Sequence, residues 1–476
     1  MELTELTIKQ LHKGFLKKEF SASEVTKAYL DEIKKRDNEI GAYLSLFEDS
    51  AESAAQSADK IISEGKDFPE LCGVPCSVKD AIMVYGEKCT AGSKILENYT
   101  APYDATVVKK LKKEGSVILG KTNLDEFAMG VSTENSAFKV TKNPKDLERV
   151  AGGSSGGSAA SVAAKLSQFS LGSDTGGSIR LPSSFCGVVG LNPTYGAVSR
   201  YGLIALASSL DQIGPIAKNV EDAKIIFRAI SGKDPLDATS RDYRFEESEV
   251  KLRGLKIGVP KEYFEEGIDP KVQELIKKAI SKAEVAGAEI IEISLPHTKY
   301  AIAAYYIIVP SEASANLARY DGIKYGLSSY NAENLIDVYL ESRGKGFGPE
   351  PKRRILIGTH SLSSGYYDAY YKKAQEIRSI IRRDFEKAFE KVDLIFSPVS
   401  PVAAFKAGEK IEDPLSMYLM DIYTGPVKLA GVPAISIPAG VAEGLPVGLQ
   451  IIGNYFEESK VFAVAEEMEK MLHPVK

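Results

Sequence analysis

The chain begins with apolar residues at helical spacing. Apolar positions recur about every 3.6 residues over 7–18 and again over 24–36, and Ser21 with Glu24 forms a capping-box pattern at the start of the second run. An apolar face opposite a polar one is typical of helices that pack on the surface of a core. We therefore expect a helical segment, residues 1–65, packed on the rest of the protein.

From about residue 71 onward, short β-type runs alternate with helical ones. Strand-like residues 74–78 and 117–119 flank a helical run at 105–114, and a further helix is predicted near 124–129. Alternation of this kind predicts an α/β architecture with much parallel sheet.

The second half repeats the alternation and adds helices. Strand-like residues 255–259 and 289–293 enclose a helical run at 271–286, and late strands precede a C-terminal helix. We predict an α/β fold with a mixed, largely parallel central sheet flanked by helices on both faces. It forms one large domain over 66–476, with a mostly helical region at about 300–392.

The composition excludes several classes of protein. The 476 residues are 44% hydrophobic and 26% charged, as in folded globular proteins, and the net charge of -5 disfavours a broad polyphosphate-binding face. The longest apolar run, 300–310, is about half of the roughly 20 residues that a membrane-spanning helix needs, and the first residues are acidic. We expect a cytoplasmic protein without membrane contact.

Cysteine and histidine offer no metal or disulfide pattern. The four cysteines form no C-x-x-C pair, which indicates buried reduced thiols, and the four histidines lie far apart in the sequence. No metal site is predicted, and a catalytic base has to be sought among other residues. The residues concerned are Cys72, Cys76, Cys89, Cys186, His12, His297, His360 and His473.

The centre of the chain is rich in glycine and serine. Residues 151–200 hold ten glycines, eleven serines and only four charged residues, together with strand-like and helix-like apolar runs that a flexible linker lacks. Two phrases, 151–158 and 172–178, place serine beside paired glycines. Glycine lets backbone N–H groups approach a ligand, and converging N–H groups suit the oxyanion of acyl transfer. One such phrase alone would be explained by tight packing, but two favour attack by a serine.

Two motifs in this half match common signatures by spacing only. Residues 152–156 fit the nucleophile elbow of α/β-hydrolases, which requires a later histidine, so His297, His360 and His473 are candidates by position alone. Residues 115–122 fit a phosphate-binding loop, but the interior reads as a strand and Gly115 as the end of a helix. We therefore do not expect ATP to bind there.

Without a histidine, the serine can be activated by a lysine that burial keeps neutral. Lys79 is the best candidate because it ends the apolar run 74–78, and open α/β sheets build their sites at the carboxyl ends of strands. A strand-end lysine taken alone is more often solvated.

Together, Lys79, Ser154 and Ser178 resemble the pattern of the amidase signature family. The resemblance implies that Ser178 is the acyl-forming nucleophile, that Ser154 bridges to it beside a cis peptide bond, and that Lys79 is the base. Spacing alone does not choose between the serines. The implied oxyanion hole consists of the backbone N–H groups of Thr175, Gly176, Gly177 and Ser178.

Three further phrases, at 125–130, 208–215 and 363–371, resemble one branch of that family, the glutaminase subunits of tRNA-dependent amidotransferases. The resemblance extends over about 400 residues. Within it, the chain departs from the usual pattern at three positions, none of which is a catalytic group. They are Leu181, Asn192 and Ala197.

This branch must hold a zwitterionic amino acid, for which an arginine and a carboxylate are the natural partners. The resemblance implies that Arg354, or its neighbour Arg353, binds the α-carboxylate, and that Asp421 binds the α-ammonium group. It also places Met129, Gly130 and Asp174 at the substrate.

The same resemblance implies partners and excludes cofactors. Ammonia from glutamine or asparagine would pass to a second subunit that uses ATP and magnesium and contacts the tRNA, and a small third subunit would join the two. No metal or cofactor is expected in this chain. The alternatives are a free-standing amidase acting on another amide and a non-catalytic scaffold with the same fold.

Overall fold

A computed structural model of the protein describes residues 2–65, 67–265, 267–410 and 413–473. The α-helices of this part are α1 (Ile8–Lys17), α2 (Ala22–Ile40), α3 (Glu48–Ser63), α4 (Thr106–Lys113), α5 (Gly156–Ala163), α6 (Arg180–Cys186), α7 (Val220–Ile230), α8 (Pro270–Val285), α9 (Ala301–Asn316), α10 (Leu335–Gly346), α11 (Pro349–Leu362), α12 (Lys373–Phe389), α13 (Pro414–Tyr418), α14 (Gly425–Ala430) and α15 (Glu458–Leu472). The strands are β1 (Tyr43–Leu46), β2 (Pro75–Lys79), β3 (Val117–Thr122), β4 (Lys142–Asn143), β5 (Asp146–Val150), β6 (Phe169–Asp174), β7 (Val189–Asn192), β8 (Gln212–Ala217), β9 (Lys256–Pro260), β10 (Glu289–Ile293), β11 (Leu394–Pro398), β12 (Ala434–Ala442) and β13 (Leu445–Ile452).

Eleven of these strands form one mixed sheet in the order β1-β3-β2-β6-β8-β7-β12-β13-β11-β9-β10. The predicted mixed α/β class is confirmed. Parallel pairing joins β3, β2 and β6 near one edge and β11, β9 and β10 at the other, while six of the ten neighbouring pairs are antiparallel. The antiparallel share exceeds the expectation because connections such as the two-residue turn between β12 and β13 are too short for a parallel crossover.

Apolar side chains cover both faces of the sheet. Successive residues of β11 alternate between two clusters, with Leu394 and Phe396 in the larger and Ile395 in the smaller. Because side chains of a strand point to opposite faces in turn, the two clusters lie on opposite sides of the sheet. Helices α1, α2, α7, α8 and α15 contribute to the larger cluster, and α9, α12 and α14 to the smaller.

The predicted capping box at the start of α2 is confirmed. The amide of Glu24 donates to Ser21 Oγ at 3.1 Å, and the amide of Ser21 donates to Glu24 Oε2 at 2.8 Å. Phe15 and Tyr29 of the first two helices are buried in the larger cluster. The four cysteines are free and buried, as expected. Among the described residues, no helix combines the length and the apolar character that crossing a bilayer requires.

The helix predicted near 124–129 is wrong. A single 3₁₀ turn, Glu126–Ala128, occupies this place, and Phe127 has a left-handed φ of 51°. The physical reason is the buried carboxylate of Asp125, which accepts backbone N–H bonds from Thr133 at 2.9 Å and Asn135 at 3.1 Å. These bonds fold the chain back into a loop that a helix would not allow.

The spacing that mimics a phosphate loop lies in a strand, as predicted. Gly115 follows α4 with a φ of +78°, and Lys121 belongs to β3. The Lys121 amine is fully buried and lies 3.0 Å from Asp80 Oδ1. It therefore pairs with a carboxylate that directly follows strand β2 and is not available to a nucleotide.

We expect Asp80→Ala to lower the free energy of unfolding by about 3–5 kcal/mol, because it leaves the Lys121 charge buried without a partner. Replacing both residues, in Asp80→Ala with Lys121→Met, should recover most of this loss, since no unpaired charge remains. Urea denaturation followed by fluorescence measures both variants. Equal destabilisation of the single and double variants would show that the ion pair is not the cause.

Candidate active site

Lys79 lies at the carboxyl end of β2, between the parallel strands β3 and β6, and is fully buried. Its amine donates to Ser154 Oγ at 2.8 Å and to Ser155 Oγ at 2.9 Å. No carboxylate among the described residues forms an ion pair with it. Burial lowers its pKa to about 7, against the opposing charges of Asp125, Asp174 and Asp211. A large fraction of this amine is therefore neutral near pH 7 and can accept a proton.

Ser154 lies two residues before α5 and is fully buried. The Gly153–Ser154 peptide bond is cis. A Cβ atom on Gly153 would lie 2.2 Å from Asp125 Oδ2, so this position has no room for a side chain. The glycine thus lets the chain approach the Asp125 loop closely and holds the Ser154 hydroxyl against the lysine.

Ser178 lies in the loop between β6 and α6, and its carbonyl accepts the Ser155 N–H at 3.1 Å. It is 7% exposed, whereas Lys79 and Ser154 are completely buried. Its hydroxyl forms no hydrogen bond with any residue in the described part of the chain. The structure thus joins Lys79 to Ser154 directly, and the backbone bond from Ser155 connects Ser178 to the same segment, with the Ser178 hydroxyl unpaired among the described residues.

The loop from Thr175 to Ser178 presents its backbone donors freely. None of its four N–H groups forms a hydrogen bond with a described residue, although the loop is buried. Gly176 and Gly177 are required by packing, since a Cβ atom would lie 2.4 Å from the Tyr305 hydroxyl at the first and 2.4 Å from Thr424 Oγ1 at the second. Unpaired N–H groups in a buried loop are what an oxyanion hole requires.

Two carboxylates brace this loop from behind. Asp174 and Arg180 form a fully buried two-bond pair, with Nη2 to Oδ1 at 3.0 Å and Nε to Oδ2 at 3.1 Å. Asp211 accepts the Thr175 hydroxyl at 2.7 Å. Both oxygens of Asp174 are bound by Arg180, so its carboxylate holds the loop in place, and the expected contact of Asp174 with the substrate stays a prediction.

Comparison with known proteins agrees with this geometry. The sequence profile described as Amidase matches residues 24–462. The chain belongs to the amidase family. It is 58% identical over 475 residues to the A subunit of glutamyl-tRNA(Gln) amidotransferase from Caldanaerobacter subterraneus subsp. tengcongensis, covering 99% of this chain and 97% of that protein. It is 57% identical, with the same coverage, to the A subunit from Thermoanaerobacter pseudethanolicus. The crystal structure of the A subunit from Thermotoga maritima superposes with a TM-score of 0.81 at 44% identity, covering 99% of this chain and 95% of that one.

A second polar group lies beside the loop of this amidase. A Cβ atom on Gly177 would lie 3.1 Å from Asp421 Oδ1, so Asp421 borders the loop directly. Its other oxygen accepts the Tyr306 hydroxyl at 3.1 Å, and the Arg354 guanidinium lies 5.0 Å from the Tyr306 ring centre. Burial raises the pKa of Asp421 to about 6. An acidic and a cationic group thus both contact Tyr306, and the acidic one borders the loop that carries Ser178.

The structure distinguishes Arg354 from Arg353. Arg354 is buried, and its Nε donates to Glu350 Oε1 at 2.7 Å, whereas the Arg353 side chain is 45% exposed and pairs with the other oxygen of Glu350. The two η nitrogens of Arg354 have no hydrogen-bond partner within the described chain. Because they are the free ends of a fixed guanidinium, they are suited to bind a carboxylate.

A cavity of about 240 Å³ opens beside Arg354, with Gly130 and Tyr306 in its wall. Met129, by contrast, is buried in the smaller apolar cluster and, like Ser178, does not line this cavity. The described residues also contain no group of three or more histidine, cysteine or acidic side chains that could hold a metal ion.

Sequence reasoning did not select four residues of this site. Ser155 stood in the glycine–serine phrase, and Asp211 in the phrase 208–215, so both had a local signal. Tyr306 lies within the apolar run of α9, and Glu350 lies among the charged residues at the start of α11, a pattern typical of a solvated helix. The last two had no signal that separates them from a core tyrosine and a solvated acid.

We expect a fluorophosphonate probe to label Ser178, with a rate that rises with pH around a midpoint near 7. Below this pH the Lys79 amine is protonated and cannot accept the serine proton, whereas above it the neutral form predominates. Lys79→Met should slow labelling by about 10²–10⁴-fold. Labelling is measured by mass spectrometry of the intact chain.

Ser158→Ala is the matched control, because Ser158 is a buried serine of the same phrase whose hydroxyl bonds Thr122 Oγ1 at 2.7 Å and not Lys79. It should be labelled at the wild-type rate. Labelling of Ser154 in place of Ser178, or a rate independent of pH between 6 and 8, would contradict the assignment.

Proposed function

We propose that this amidase is the glutaminase subunit of a tRNA-dependent amidotransferase. The observation that carries the proposal is that two sets of residues lie close together. The first is Lys79 with Ser154 and Ser178, and the second is Arg354 and Asp421, which both contact Tyr306. The first suits amide hydrolysis through an acyl-enzyme, and the second suits the two charges of a free amino acid. Full-length similarity to the A subunits of glutamyl-tRNA(Gln) amidotransferases supports the same function.

In the proposed mechanism, the Lys79 amine takes a proton from Ser154 as Ser154 takes one from Ser178. Ser178 Oγ then attacks the side-chain amide carbon of glutamine. The carbonyl oxygen becomes an oxyanion held by the N–H groups of residues 175–178, each of which is worth about 2.7–4 kcal/mol in a comparable protease site.

The C–N bond breaks next, and the relay returns its proton to the leaving nitrogen, which departs as ammonia. A glutamyl ester of Ser178 remains. Water then loses a proton to the same relay, attacks the ester carbon and releases glutamate with a restored Ser178 hydroxyl. Lys79 thus acts as base in each attack and as acid in each departure.

Substrate selection follows from the second group. The η nitrogens of Arg354 bind the α-carboxylate, and Asp421 binds the α-ammonium group. Gly130 forms part of the cavity wall near Arg354, where a Cβ atom would meet the Asp125 carboxylate at 2.3 Å. Met129 supports this wall from the core. Asparagine carries the same two charges and is the second substrate to test.

The ammonia passes to a partner subunit that holds ATP and magnesium and amidates Glu-tRNA(Gln), Asp-tRNA(Asn) or both. A small third subunit links the two, and tRNA contacts this chain mainly through the partner. The chain itself holds no cofactor and acts in the cytoplasm, with residues 1–65 packed as a helical segment on a catalytic domain over 66–476. The net charge of -5 supports this division of labour.

The experiment that tests this function measures ammonia release by the chain in complex with its two partner subunits. Substrates are glutamine, asparagine and a panel of simple aliphatic and aryl amides. We expect release from the amino-acid amides alone, and its loss in Ser178→Ala. Broad hydrolysis of simple amides would instead identify a free-standing amidase, and activity retained in Ser178→Ala would remove the proposed nucleophile.

Arg354→Lys should raise KM for glutamine by about 100-fold while changing kcat much less, because an ammonium group cannot replace two parallel N–H bonds to a carboxylate. Steady-state kinetics of ammonia release measure both constants. Arg353→Lys is the matched control and should leave KM within about twofold. The opposite result would assign the carboxylate to Arg353.

A further inference from the structure

A groove of about 900 Å³, separate from the catalytic site, opens between residues 194–195, the segment 241–246 and helix α12. Four arginines line it, and we call it the arginine groove. None of its lining residues belongs to the loop around Ser178 or to the cavity beside Arg354. The four residues are Arg241, Arg244, Arg378 and Arg382.

Two of these four arginines have no side-chain partner in the described part of the chain, although Asp242 and Glu246 also line the groove. The side chains of Arg241 and Arg244 are exposed and form no hydrogen bond or ion pair with any residue that the structure describes. Within the same described part of the chain, Arg378 donates only to neutral oxygens, at 2.8 and 2.9 Å to Ser209 and at 3.2 Å to the Leu429 carbonyl. Arg382 differs from the other three because it pairs with a described carboxylate, Glu386 at 2.9 Å.

Aromatic rings complete the groove and are held in place. The Tyr455 hydroxyl donates to the Ala430 carbonyl at 2.8 Å, and the Arg382 guanidinium lies 5.1 Å from the Tyr455 ring centre. Tyr243 packs against Phe456 with ring centres 5.6 Å apart. Arginine and tyrosine set in a concave surface are the residues that contribute most to protein–protein binding.

We propose that the arginine groove binds an acidic peptide segment of another subunit of the amidotransferase. The inference rests on the proposed function, since it takes this chain to be one member of an assembly. Charge complementarity identifies the occupant, because carboxylates would pair with the two free arginines and an aromatic or aliphatic side chain would cover the rings. Nucleic acid is the poorer fit, since the groove is short, the whole chain carries a net charge of -5, and a peptide also offers N–H donors to Asp242 and Glu246, which a phosphate backbone does not.

The test uses the chain and its two partner subunits, each purified from the same organism. Arg241→Glu combined with Arg244→Glu should weaken the affinity of the chain for the partner pair at least tenfold, as measured by biolayer interferometry. The wild-type affinity should also fall as salt rises from about 0.15 to about 0.5 M. The matched control, Lys277→Glu with Lys278→Glu on α8, reverses two exposed charges outside the groove and should bind like wild type.

A photo-crosslinking residue, p-benzoylphenylalanine, in place of Arg244 then identifies the occupant by mass spectrometry of the assembled complex. Cross-links to an Asp/Glu-rich segment of a partner support the proposal. An unchanged affinity of the charge-reversed chain overturns it, as do cross-links confined to basic or apolar segments. Loss of tRNA binding without loss of partner affinity would replace the peptide by RNA and overturn it as well.

Failure of this inference is distinguishable from failure of the proposed function. If glutamine hydrolysis by the complex is normal and the charge reversal has no effect on assembly, only the role assigned to the groove is wrong. If the wild-type chain neither binds the partner pair nor releases ammonia from glutamine, the proposed function itself fails.

Discussion

A lysine amine that is buried without a carboxylate partner loses its proton far more easily than one in water, and the centre of this protein is built round such an amine. Three carboxylates lie near enough to Lys79 to oppose this effect, yet each is bound by other donors. Asp125 accepts hydrogen bonds from backbone N–H groups, Asp174 forms an ion pair with Arg180, and Asp211 accepts a hydrogen bond from the Thr175 hydroxyl. Lys79 is left with hydroxyl and carbonyl oxygens, so the surroundings favour the neutral base.

Two of these carboxylates, Asp174 and Asp211, also hold the loop of residues 175–178 in its shape, which connects the electrostatics around Lys79 to the geometry of the proposed oxyanion hole. Arg180 ties Asp174 to the Thr424 carbonyl at 3.3 Å, and Thr424 in turn packs against Gly177. Helix α14 begins at this contact and ends in the wall of the arginine groove, where Arg378 binds the Leu429 carbonyl. The catalytic loop and the groove are therefore joined by one short buried helix.

The sequence was informative where local pattern and burial coincide. Lys79 could be found because an apolar strand places it at the edge where α/β sheets form sites, and the spacing at 115–122 could be rejected as a phosphate loop because its interior is a strand. The loop at Asp125 could not be predicted, because its conformation depends on N–H groups up to ten residues away. Tyr306 could not be predicted as a site residue either, because it is linked to the site by its hydrogen bond to Asp421, which lies 115 residues later in the chain.

In the proposed function, Asp421 and Lys79 require the same range of pH for different reasons. Asp421 must be ionised to hold an α-ammonium group, which its pKa of about 6 allows above that pH, and Lys79 must be neutral to accept a proton, which its pKa of about 7 allows above 7. Binding of the ammonium group would lower the pKa of Asp421 back towards its ordinary value, because it favours the carboxylate. Loss of affinity on acidification should thus reflect Asp421, and loss of turnover should reflect Lys79. Burial produces both shifts, raising the pKa of the acid and lowering that of the base, so in the proposed function one buried site prepares substrate binding and proton transfer together.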